Sequence, residues 1–222
     1  MSAAHPEGVI RFEVEHRAQP LEERALGEAA RTLAAWRHIL AHLRLLGQDP
    51  ARYEGLGYGN VSARVGPFGG VGRGRRRFLV TGTQTSGLAH ATLREFCLVE
   101  RWDVACNRVE STGLVPPSSE SLTHAALYDA SPAIRVVLHA HAPELWRRAR
   151  ELGLPSTDPS AANGTPAMAW EVQRLYREDT FASTHVAAMG GHEDGVIAFG
   201  ESAEAAGSAL VRQLARALAA AW

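Results

Sequence analysis

The stretch Arg135-Val136-Val137-Leu138-His139-Ala140-His141 constrains the fold of this chain more than any other. Its β-branched, apolar opening predicts a buried strand. Residues two apart on a strand share a face, so His139 and His141 point one way and Ala140 the other. On a helix the two histidines would lie nearly opposite each other. Two imidazoles on one face of a buried strand are costly unless satisfied. At this spacing they can hold one metal ion, provided the chain brings at least one more ligand to them. A core strand that happens to carry two histidines is the plain alternative.

Shortly upstream, Pro116-Pro117-Ser118-Ser119-Glu120 predicts a helix start. A serine caps the free N–H groups, the Glu120 carboxylate lies in the first turn, and Leu122, Ala126 and Leu127 continue an apolar face. The helix is expected to end near Ser131-Pro132, from which the chain enters the His-x-His strand. A carboxylate, two hydroxyls and a helix N-terminus therefore arrive together beside two potential ligands.

Composition narrows the function classes. The chain has 222 residues, 45% hydrophobic and 21% charged, with a net charge of −1. That balance is ordinary for a soluble domain and calls for neither nucleic acid nor an anionic membrane. Two cysteines, Cys97 and Cys106, are too few for a disulfide framework and read as reduced thiols of a cytoplasmic protein. There is no lysine anywhere, so lysine Schiff-base chemistry is excluded. Met1 to Gln19 is broken by charges and has no apolar core, so it is not a secretory signal; residues 1–20 are read as an N-terminal extension.

A helix is expected from Leu21 to about Gly47, with His38 and His42 as a solvated pair on it. Gly55 to Gly59 reads as a tight glycine turn into a strand at Val61 to Val65, which is not a dinucleotide fingerprint because no helix follows. The arginine-rich stretch to Arg77 reads as a solvated hairpin tip. The loop Thr81-Gly82-Thr83-Gln84-Thr85-Ser86-Gly87 is dense in hydroxyls and suits an oxyanion, as it equally suits an ordinary polar loop. Strands are expected at Phe96–Trp102 and Val104–Glu110, joined at Asp103. Helices follow at Pro143–Leu152 and Ala167–Arg177, then strands at His185–Met189 and Val196–Phe199, and a final helix capped by Ser202. No repeat or linker is visible, so the chain reads as a single α/β domain of 1–222, with a mixed or mostly antiparallel sheet flanked by helices.

These residues resemble the class II aldolase/adducin family over roughly Ala29 to Trp222. The resemblance rests on Gly59-Asn60-Val61-Ser62, the Phe78–Gly87 strand and loop, Ser118-Ser119-Glu120 with His124 and Tyr128, and His139-Ala140-His141. It implies a central sheet flanked by helices, a divalent metal held by three histidines, and a homotetramer. The metal is expected to be Zn2+, or Mn2+, Fe2+ or Co2+. Carried over by position, His139 and His141 are metal ligands and Glu120 is the acid/base. Gly59, Asn60, Ser118 and Ser119 cradle a substrate phosphate. From the threonine loop Thr83, Ser86 and Gly87 join them, with Thr81 and Thr85 as alternatives. The third ligand is taken as His192 on a bulged turn, with Asp194 and His185 as alternatives, because Asp194 stands where the family places a histidine before the glycine. The aldolases' tyrosine proton donor has no obvious match. The implied activity is aldol cleavage of a small phosphorylated ketose or hydroxy-carbonyl compound. Epimerase, dehydratase, decarboxylase and a scaffold like the adducin head are the alternatives.

Overall fold

The structure is a computed structural model and describes residues 8–178 and 180–220. In chain order the elements are β1 (Glu13–Ala18), α1 (Glu23–His42), β2 (Gly47–Gln48), β3 (Gly57–Tyr58), β4 (Asn60–Arg64), β5 (Phe78–Thr81), β6 (Phe96–Asp103) and β7 (Arg108–Gly113). Then come α2 (Ser121–Ala130), β8 (Val136–His141), α3 (Pro143–Arg147), α4 (Pro166–Arg177), α5 (Thr180–Thr184), β9 (Val186–Ala188), β10 (Gly195–Gly200) and α6 (Ala203–Ala219). Eight strands form one sheet in the order β1-β7-β6-β5-β4-β8-β10-β9, and β2 pairs with β3 alone. Every neighbouring pair in the large sheet is antiparallel except β1 with β7, so the sheet is mixed.

The central strands are apolar on both faces and are covered on both. In β8, Val136, Leu138 and Ala140 join the core that Leu33, Leu40 and Leu210 build from α1 and α6. Val137 joins the opposite core with Leu122 and Leu127 of α2 and Met168 and Val172 of α4. Strand alternation puts His139 and His141 on that second face. All residues of α2 from Ser121 to Asp129 are buried, because the helix is sandwiched between the sheet and α4. Each fully buried leucine there contributes about 2 kcal/mol.

Several elements differ from expectation. The segment read as an extension supplies β1, an edge strand paired in parallel with β7. The second middle strand starts at Arg108 rather than Val104, because Asp103 Oδ1 accepts the Cys106 N–H at 2.9 Å and Asn107 turns with φ 51. The helix from Pro143 stops at Arg147. The arginine-rich hairpin is not simply solvated: Arg76 donates to the Tyr128 carbonyl at 2.5 Å and Arg73 to the Asp129 carbonyl at 3.2 Å. These guanidiniums satisfy carbonyls at the C-terminal end of α2, where the helix dipole favours cations. Asp129 completes the anchor by accepting from Trp102 Nε1 at 2.8 Å and from the Gly74 N–H at 2.9 Å. The pair His38 and His42 is exposed, as expected. No helix among the described residues is long and apolar enough to cross a membrane.

One buried polar network joins β4 to α2. Ser62 Oγ lies 2.7 Å from His124 Nδ1 and 2.7 Å from Tyr128 Oη, and all three side chains are buried. Burial drives the His124 pKa down to about 3. Above pH 6.5 the imidazole is neutral folded or unfolded. Below it the unfolded chain takes up a proton that the folded state refuses until about pH 3. Stability therefore falls as pH drops through that window, by up to about 1.4 kcal/mol per pH unit. Metal-free His124→Gln should be less stable at pH 7.5 yet show a shallower loss in urea titrations between pH 6.5 and 4.5. Equal slopes for the two proteins would remove His124 as the cause.

Candidate active site

His139 and His141 come from β8, and His192 comes from the turn joining β9 to β10. Gly195 sits opposite His141 and Ile197 opposite His139, so this turn returns directly over the histidine strand. It is closed by Met189 N–H to the Gly195 carbonyl at 2.8 Å and by Gly195 N–H to the His192 carbonyl at 2.9 Å. Gly195 must lack a side chain, because a Cβ would lie 2.9 Å from His192 Cγ. The three buried imidazoles have ring centroids 4.8–5.0 Å apart, and their ligand atoms lie within 4.8 Å of one another. His139 Nδ1–H donates to the Val196 carbonyl at 3.1 Å, which makes Nε2 the lone-pair nitrogen.

This donor set fits a divalent cation. Three neutral imidazoles without a thiolate suit zinc and its first-row neighbours, and three protein ligands leave coordination positions for substrate. His192, rather than Asp194 or His185, completes the cluster. Asp194 stands with φ 60 and its carboxylate accepts from Tyr53 Oη at 2.8 Å. His185 stacks on Phe199 at 4.9 Å, at the far end of β10.

Glu120 occupies the cap position of α2 rather than its first turn. Ser118 Oγ accepts the Glu120 N–H at 3.3 Å, and Thr123 Oγ1 donates to Glu120 Oε2 at 2.7 Å. That bond aims the other oxygen, Oε1, to 3.8 Å from His192 Nδ1. The carboxylate is buried at 1% exposure.

Next to it lies a small recess lined by Gly59, Asn60, Thr83, Ser86, Ser118 and Ser119, which are six of the seven residues expected to meet a phosphate. Gly87 is outside that lining, although it neighbours Ser86. Gly8, Gly57, Gly82 and Gln84 also contribute to the lining. Asn60 pairs with His139 across β4 and β8, which sets the recess against the histidines. Its Oδ1 is buried with no hydrogen-bond partner among the described residues. Gly59 has φ +73, and a Cβ there would lie 3.1 Å from both the His139 carbonyl and Leu46. The loop hydroxyls are largely engaged with backbone groups of the protein. Thr85 donates to the Gly82 carbonyl and Ser86 to the Gly59 carbonyl, each at 2.8 Å, while Thr81 accepts the Val61 N–H at 3.2 Å. A bridge between Gly82 and Pro117 ties this loop to the turn that carries Glu120.

The sequence profile of the Class II Aldolase and Adducin N-terminal domain matches residues 37–218. The chain belongs to this family. Among solved structures, L-fuculose-1-phosphate aldolase from Thermus thermophilus superposes with a TM-score of 0.59 at 18% identity, covering 86% of this chain and 91% of that one. A sugar-phosphate aldolase from Thermotoga maritima gives 0.63 at 16% identity, covering 87% and 96%. YgbL from Escherichia coli, described as an aldolase, epimerase or decarboxylase, gives 0.61 at 16% identity, covering 87% and 88%. At these identities the likeness is one of fold. No curated protein sequence matches the chain.

Within this class II aldolase fold, one wall of the site escaped the sequence reading. Tyr53 packs its ring 4.5 Å from that of His141, donates to Asp194, and accepts from Arg52 Nη2 at 2.8 Å. Arg52 also lies 4.5 Å over the Tyr58 ring, which stands 5.4 Å from His141. Burial, then the Asp194 carboxylate, raises the Tyr53 pKa and keeps its phenol protonated. The tyrosine and its acceptor are 141 residues apart. No local pattern could have joined them.

Proposed function

We propose that this chain is a metal-dependent lyase of the class II aldolase type, cleaving a small phosphorylated ketose or hydroxy-carbonyl compound. The observation that carries the reading is the Glu120 carboxylate held 3.8 Å from His192 within the three-histidine cluster, with the Asn60–Ser119 recess beside it. A divalent ion held by His139, His141 and His192 would supply Lewis-acid stabilisation of the negative charge that develops on the substrate's carbonyl oxygen.

The chain's own residues do the rest. Asn60, Ser118, Ser119 and the loop amides hold the phosphate and so fix the carbonyl relative to Glu120. Glu120 removes the proton of the hydroxyl on the carbon that leaves as an aldehyde. The carbon–carbon bond breaks, its electron pair passes to the carbonyl side as an enediolate, and the protonated Glu120 returns its proton to that carbon, which completes the second product and restores the carboxylate. Thr123 keeps the carboxylate oriented throughout. Tyr53, Tyr58 and Arg52 close the side of His141 against bulk water.

The same parts would serve an epimerase or a decarboxylase, since each passes through an enolate. The test is zinc-loaded protein incubated with a panel of phosphorylated ketoses in D2O. Aldehyde release from one of them is expected. Deuterium incorporation beside the carbonyl without aldehyde release would move the assignment to the other enolate reactions. Neither outcome with any substrate would contradict the reading.

A further inference from the structure

Arg37 is the largest fully buried side chain among the described residues, at 1% exposure on α1, and neither the metal cluster nor Glu120 uses it. Its Nη2 donates to three carbonyls of one loop: Thr85 at 2.7 Å, Ser86 at 3.0 Å and Leu88 at 2.7 Å. It forms no ion pair with a described residue. Glu95, the carboxylate whose field reaches it, is itself bonded to the Thr92 N–H and hydroxyl at 2.6 and 2.7 Å. A buried cation without a paired carboxylate is costly, so three carbonyls of one loop are an unusual return for it.

The geometry points to a purpose. In a trans peptide the N–H lies opposite the C=O. Drawing the Thr85 and Ser86 carbonyls toward Arg37 turns the N–H groups of Ser86 and Gly87 to the other side of the loop. Neither N–H has a partner among the described residues, and Ser86 lines the recess. Thr85 to Leu88 is a β-turn, closed by the Leu88 N–H to the Thr85 carbonyl at 3.1 Å. A Ser-Gly centre suits a type II turn, which needs positive φ at its second central residue. Gly87 is not among the positive-φ glycines. The two turn types differ by a flip of the central peptide, and that peptide is the one whose carbonyl Arg37 holds.

We propose that Arg37 is the positioning residue of the anion recess. It locks the Ser86–Gly87 peptide so that two adjacent amides, backed by a buried positive charge, receive the phosphate of the substrate. This rests on the reading of the recess as a phosphate site, given above. It also explains how a loop whose hydroxyls are already engaged, in a chain with no lysine, would bind an anion.

The test uses zinc-loaded full-length protein, inorganic phosphate as probe, and the variants Arg37→Met and Arg37→Lys. Wild-type amide signals of Ser86 and Gly87 should shift in NMR spectra as phosphate is added. Arg37→Met should weaken phosphate binding by roughly 10- to 100-fold with zinc stoichiometry unchanged. Arg37→Lys keeps the charge but not the fork, and should fall between the two. On a turned-over sugar phosphate the loss should appear in KM, with kcat little changed. If Arg37→Met does not fold, the wild-type amide shifts and Arg37→Lys decide the matter. Wild-type binding that leaves the Ser86 and Gly87 amides unmoved, or that the variants retain in full, overturns the role of Arg37 alone. Loss of zinc together with phosphate overturns it too, as a general structural effect. A wild type that binds no phosphate overturns both this inference and the phosphate reading beneath it.

Discussion

Glu120→Gln is expected to lower turnover by about 10²–10⁴-fold while leaving the fold and the metal in place. The amide keeps the size of the carboxylate and can still accept from Thr123 Oγ1, so the start of α2 is preserved. It cannot accept a proton. The carboxylate's other oxygen faces His192 Nδ1 at 3.8 Å, and the amide still offers a polar atom of the same size to that side of the site. Steady-state kinetics, metal analysis and thermal unfolding on the same preparation check this. Unchanged turnover would reduce Glu120 to a helix-start residue. Loss of metal with activity would make it a ligand.

Replacing any one of His139, His141 or His192 by alanine should weaken metal binding by more than about 100-fold. Removing a group one shell further out from a metal already costs roughly 10–100-fold. All three imidazoles are buried with their ligand atoms within 4.8 Å of one another, so no side chain can simply swing in from solvent. Asp194→Asn and His185→Ala should stay within about tenfold of the wild type. Asp194 is engaged with Tyr53, and His185 is stacked on Phe199 at the far end of the strand. Competition with a chromophoric chelator measures all five. If Asp194→Asn lost metal as completely as His141→Ala while His192→Ala kept it, the third ligand would have been misassigned.

What could be read from the chain was whatever local spacing controls. His139 and His141 were placed correctly because a period of two is decisive on a buried strand, and β8 is buried along its whole length. Ser202 was found as a cap because its hydroxyl accepts the Ala205 N–H three residues on. Six residues of the recess were brought together by the family resemblance rather than by local spacing, which left the glycine turn and the threonine loop open. Thr85 turns out to spend its hydroxyl inside the loop and Ser86 on the Gly59 carbonyl across the recess. The misses share one cause, pairing between distant parts of the chain. β1 mixes Glu13, Glu15 and Arg17 with Val14 and His16, and only its partner β7 makes it a strand. Arg73 and Arg76 looked solvated because the carbonyls they cap belong to a helix more than 50 residues away. Tyr53 and Arg37 carried no signal for the same reason. Trp222, the end of the stretch that carries the family resemblance, lies outside the described residues.

The most direct test of the metal centre is the metal content of wild-type protein never exposed to a chelator, followed by X-ray absorption at the edge of whatever metal is found. The account predicts about one divalent transition ion per chain, zinc above all, with nitrogen ligands at roughly 2.0–2.1 Å and a scattering pattern of three imidazoles. Protein that carries no metal and takes up none when zinc is added, or a metal whose ligands are not imidazoles, would contradict it.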